Sequence, residues 1–143
     1  MELKVEYFDV EQIIGMGGPW VGKLKVDNHT LSHTFLIDNY IKDKEETLYV
    51  FSRYHPKKRQ IKFFFGLFKT ITEKRKFEII VYNSIERKWF RSKDYWEGLF
   101  PTRIERTKIF YTQAFHDNDR IMFPEQNIEF NEINFIELND NGI

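Results

Sequence analysis

The sequence predicts an all-β fold, with at most one short helix, in which an antiparallel meander forms a sandwich or barrel. Three observations lead there. Segment after segment alternates apolar and polar residues with a period of two, the pattern of a half-buried strand. Turn-forming pairs such as Asp27-Asn28, Asp38-Asn39 and Asn83-Ser84 separate those segments at short intervals. Apolar residues nowhere recur at i, i+3, i+4 and i+7 over three turns, so long helices are not expected. The 15 Phe among 143 residues reinforce the reading, since Phe favours strands and buries a large area. A chain of this length fits a single domain, residues 1–143.

The elements follow in order. Glu2 to Phe8 sets Leu3, Val5 and Tyr7 against Glu2, Lys4 and Glu6, a half-buried strand. The stretch Gly15-Met16-Gly17-Gly18-Pro19 is a turn. Trp20 to Val26 alternates again, Asp27-Asn28 turns, and Thr30 to Ile37 returns, which makes a hairpin. Lys42 to Glu46 is a polar loop. Thr47 to Tyr54 is a strand, and His55-Pro56-Lys57-Lys58-Arg59 is a loop, because Pro cannot donate to a central ladder and successive cations repel in a core.

Gln60 to Phe68 reads as one continuous apolar strand buried on both faces. Thr72 to Arg75 turns. Lys76 to Tyr82, the turn at Asn83 to Glu86, and Arg87 to Arg91 form the clearest hairpin. Lys93 to Phe100 reads either as one helical turn or as an aromatic loop. Ile104 and Lys108 to Phe115 form a strand, and Asp117-Asn118-Asp119 turns. Ile121 to Phe123, Ile128 to Phe130 and Ile133 to Leu138 are short closing strands. Residues 48–55 are echoed without gaps at 109–116, a weak sign of an internal duplication.

Composition narrows the function classes. Hydrophobic residues at 41% and charged residues at 31% suit a globular chain rather than a disordered one. The absence of Cys excludes disulfides, thiolate metal sites and Cys nucleophiles. The N-terminus lacks a basic segment followed by an apolar run, so no signal peptide is expected, and the apolar run Phe63 to Phe68 is too short to span a bilayer. The expectation is a cytoplasmic protein with no membrane partner. The lean toward Lys, Ile, Asn, Phe and Tyr is the usage of an AT-rich bacterial genome.

Net charge is zero but unevenly spread. Residues 53–108 hold 16 Lys/Arg against 6 Asp/Glu, a net +10. Residues 117–143 hold one Arg against seven Asp/Glu, a net −6. The expectation is that the acidic C-terminal segment packs beside the basic strands and neutralises them. The basic patch itself comprises Lys57, Lys58, Arg59, Lys74, Arg75, Arg87 and Lys88.

No constellation assembles catalytic chemistry. His29 and His33 would lie about 13 Å apart on a strand, too far to share a metal, and no metal site or cofactor is expected. His55 and His116 stand at matching strand ends, with Asp117 and Asp119 nearby, but no nucleophile or oxyanion loop accompanies them. The glycine-rich turn leads into a strand, not a helix, and Pro19 removes a donor, so it is no phosphate cradle. The carboxylate pairs Glu45-Glu46 and Asp117/Asp119 lie in hydrophilic turns.

The expected function is therefore a small non-catalytic binding module, a protein-interaction or inhibitor and immunity-type protein, with another protein as partner. Aromatic residues and Arg anchor such interfaces, which points to the loop residues Tyr95, Trp96, Leu99 and Phe100 with Arg103. The alternative is a single-stranded nucleic-acid-binding β-domain, where cations flank stacking aromatics. A small-ligand barrel or enzyme is the third reading.

Overall fold

The alternating segments resolve into fourteen strands in a computed structural model that describes residues 3–13, 18–56, 59–72, 75–114, 122–139 and 143. They are β1 (Val5–Gln12), β2 (Trp20–Val26), β3 (His29–Thr30), β4 (Thr34–Leu36), β5 (Ile41–Lys42), β6 (Leu48–His55) and β7 (Arg59–Phe64). These are followed by β8 (Leu67–Thr72), β9 (Lys76–Asn83), β10 (Lys88–Ser92), β11 (Phe100–Glu105), β12 (Lys108–Thr112), β13 (Gln126–Glu129) and β14 (Phe135–Leu138). The fold is all-β, and every pairing is antiparallel.

The main sheet runs β1-β2-β4-β6-β9-β10-β14, with β3 paired to β2 and β5 to β6. A second sheet, β11-β12-β13, covers one of its faces. Alternation sorts the central strands between two cores. Val50 and Tyr54 of β6 and Phe77, Ile79 and Val81 of β9 face the second sheet, meeting Ile109 and Tyr111. Tyr49 and Phe51 of β6 and Ile80 of β9 face the other way, toward Leu24, Phe35 and Trp89. Both outer strands reach this second core, through Val5 and Tyr7 of β1 and Leu138 of β14. The main sheet thus curls, but its edges do not pair, and it is not a closed barrel.

Local chemistry fixes the joints. Val26 pairs His29, and Asp27 and Asn28 between them have φ of 47° and 68°, the positive pair a two-residue hairpin turn demands. The expected strand from Thr30 to Ile37 is broken in two at His33, whose φ is 67°. Residues 93–99 form the loop rather than a helical turn, tied to the sheet by two backbone bonds between Phe77 and Trp96. The expected strand over Ile121 to Phe123 does not form among its described residues, while the short β5 ends at the first residue of the expected polar loop. The two echoing segments stand in different sheets, Leu48–His55 at the centre of the main one and Lys108–Thr112 in the second.

The largest correction concerns Gln60 to Phe68. It is not one buried strand. It is most of a hairpin, β7 and β8, that turns at Phe65-Gly66 and forms a two-stranded sheet of its own. Among the described residues no third strand and no opposing layer covers it, and Ile61, Phe63, Phe65, Leu67 and Phe68 are all exposed.

Candidate functional site: an apolar ribbon and its root

The ribbon continues the central hairpin. The β6–β9 ladder ends at His55↔Lys76, and the β7–β8 ladder starts at Arg59↔Thr72. The paired residue numbers sum to 131 in both (55 with 76, 59 with 72), so the register carries through from the body into the ribbon. One long hairpin is therefore buried over one stretch and exposed over the other.

At its tip Phe64 pairs Leu67, and Phe65 and Gly66 between them have φ of 47° and 81°. Glycine takes the second position without strain. Phe65 does not, because an L side chain in the left-handed region crowds its own carbonyl, at about 1–2 kcal/mol. Asn is the usual residue there. This phenylalanine is thus both strained and 101% exposed, so its side chain adds no burial to the fold. Behind it, the rings of Phe63 and Phe68 meet edge to face at 5.3 Å across the ladder.

Beneath the ribbon the sheet carries a buried polar cluster. Arg53 and Glu78 are opposite each other on β6 and β9 and are 4% and 1% exposed. Glu78 Oε1 accepts from Arg53 Nε at 2.5 Å and lies 2.8 Å from His55 Nε2. Burial pushes the Glu78 carboxyl up, but the hydrogen bond from His55 and the Arg53 charge outweigh it and hold it below the usual carboxylate range. From the break just before β4, the His33 ring meets the His55 ring at a centroid distance of 4.6 Å. Burial, then the neighbouring His55 and Arg53, lower the His33 pKa.

Tyr95 closes the root from the aromatic loop. Its ring meets His55 edge-on at 5.9 Å, and Lys76 Nζ stands 5.4 Å from its centroid. Trp96 is half-buried against Tyr111. The two line a shallow recess of about 480 Å³ with Gly98, Phe123 and Pro124. Gly98 is required there, since a Cβ would stand 2.6 Å from the Ala114 carbonyl oxygen.

The structure divides the sequence-derived contact residues. Tyr95 and Trp96 lie beside the ribbon root. Leu99 and Phe100, 0% and 3% exposed, are core residues that anchor the loop and present nothing to a partner. Arg103 stacks on Phe110, with the guanidinium carbon 3.8 Å from the ring centroid, and pairs with Glu125 at 2.8 Å and with Glu105.

The basic patch divides too. Arg59 stands in the ribbon and Arg75 just before β9. Arg87 and Lys88 lie at the far end of the β9–β10 hairpin, where Lys88 pairs with Asn83, seven residues or roughly 23 Å along β9 from Lys76. Lys57, Lys58 and Lys74 lie outside the described residues, as do His116, Asp117 and Asp119. His55 instead finds His33. The C-terminal acids Glu125 and Glu137 pair with Arg103 and Lys88, the latter at 3.3 Å.

Arg53 and Glu78 were overlooked in the sequence because each is a lone charge inside an apolar strand. Their opposition becomes visible only when the β6–β9 register is known. Among the described residues no group of three metal-ligating side chains comes together. A scan of protein-family models, a search of curated proteins and a search of solved structures each find no match to this chain.

Proposed function

We propose that the protein is a non-catalytic binding module whose contact element is the β7–β8 ribbon, with Tyr95 and Trp96 at its root. The observation that carries the reading is the exposed apolar tip of a ribbon that keeps the register of the core hairpin. Exposing five large apolar side chains in one element makes no sense for stability, and such clusters mark contact sites. The Arg53–Glu78–His55 cluster supports the same reading. Its charges are engaged with one another, bracing the hairpin near the point where the ribbon begins.

The test is capture from a native lysate with its membranes retained, comparing the wild type with a Phe65→Ser/Phe68→Ser variant. The reading expects a retained component that the variant loses. Capture unchanged by the variant, or nothing captured by either, refutes it.

A further inference from the structure

Resting on that reading, we infer that the ribbon tip inserts into the interface of an anionic lipid surface. Charge and depth lead there. Residues 63–68 form a cap of six uncharged residues, bounded on both strands by Lys62 and Lys69. Those two lysines are register partners. From the lysine pair to the Phe65 turn is three residues, about 10 Å of strand. Elements that lie in a membrane interface bury their apolar face about 5–10 Å deep, so the length of the cap fits that layer, bounded by the two lysine positions.

The surroundings agree. Residues 57–76 hold eight Lys/Arg and one Glu, a net +7. A polybasic segment beside an apolar insertion is the two-part signal that makes surface binding stable. The same charge argues against a second copy of the chain, because two such +7 segments repel. It also separates lipid from nucleic acid. Strand binders place stacking aromatics level with the phosphate contacts, whereas this cap projects beyond its nearest cations. No helix among the described residues can cross a membrane, and a tip that enters only the interface needs none.

The experiment is sedimentation with vesicles of phosphatidylcholine alone and of phosphatidylcholine mixed with phosphatidylserine, at low and raised salt. Wild type should partition onto the mixed vesicles, weaken as salt rises, and ignore the neutral ones. Phe65→Ser and Phe68→Ser should each weaken binding about tenfold or more, because each removes a ring from the buried layer. Circular dichroism should be unchanged, since both side chains are exposed. Phe65→Trp should give a blue-shifted emission on mixed vesicles, quenched by lipids brominated along the acyl chain. Equal binding to neutral vesicles, or an unshifted and unquenched indole, overturns the inference. So does a chain that ignores vesicles yet captures a protein or an oligonucleotide through the tip, and that result leaves the binding-module reading standing. Loss of every tip-dependent capture overturns both.

Discussion

Two stretches of one hairpin have the same register and opposite fates. In β6 and β9, Val50, Phe51, Ile79 and Ile80 are at most 1% exposed. In β7 and β8, Ile61, Phe63, Leu67 and Phe68 are 65% exposed or more. Local composition does not separate them, since both are rich in Phe and Ile. Their neighbours do. β6 and β9 have strands on both sides and a packed layer on each face, while among the described residues the two strands of the ribbon pair only with each other. Burial is a property of what a strand is placed against, and a two-stranded ladder alone cannot hide its side chains.

The sharpest way to break the comparison is to treat the two stretches alike. Phe51→Ala should destabilise by about 3–5 kcal/mol, because it empties a site bounded by Phe35, Tyr40 and Trp89. Phe63→Ala should stay within about 0.5 kcal/mol, as exposed positions do. Chemical denaturation of both variants reads the difference. Equal losses would mean that the ribbon is packed against something in solution.

The next effect lies at the boundary. Glu78→Gln keeps the shape but removes the charge that Arg53 and His55 share, and should cost about 1.5–3 kcal/mol at neutral pH. The same substitution in an exposed pair such as Lys4–Glu6, as Glu6→Gln, should cost less than about 1 kcal/mol. A thermal melt of each checks this.

That boundary also shows what was legible in the sequence. The strand character of Trp20 to Val26, Lys76 to Tyr82 and Arg87 to Arg91 could be read from the sequence, and the Asp27-Asn28 turn from its residue types. The all-β class followed. What could not be read was partnership. Phe63 to Phe68 has the composition of a core strand, and only its Gly66, one residue inside an apolar run, hinted at a turn. Leu99 and Phe100 looked like loop contacts because nothing local reveals that β11 packs beneath the main sheet. Glu78 and His33 needed the register of three strands to meet Arg53 and His55. The ribbon was thus visible as an unusual run, but its exposure was not.

A smaller effect follows from protons at the ribbon root. His33 has a folded pKa below the ordinary histidine value of 6.5, so the unfolded chain binds more protons near that pH. Stability should therefore fall as pH drops through 6.5. Glu78, held below 4.5, adds a second fall as pH drops from about 4.5. His33→Gln should flatten the first step and leave the second. Melting temperatures at neutral, mildly acidic and strongly acidic pH would separate them. A first step that survives His33→Gln assigns it elsewhere.

The smallest expected effect is the most demanding of the comparison. Replacing residues 56–75 by Asn-Gly closes the ladder directly from His55 to Lys76 with a two-residue turn whose twist suits it. If the ribbon is only a contact element, the body loses no packing. Shortening a twenty-residue connection to two is a little over three halvings, which for a flexible loop stabilises by at most about 2 kcal/mol. The ribbon is itself a paired hairpin, already more ordered than such a loop, so the gain should lie between zero and that limit. The sign is what matters. A melting temperature that is unchanged or raised fits a ribbon that the body does not need, while a clear fall would show that the exposed stretch of the hairpin supports the buried one.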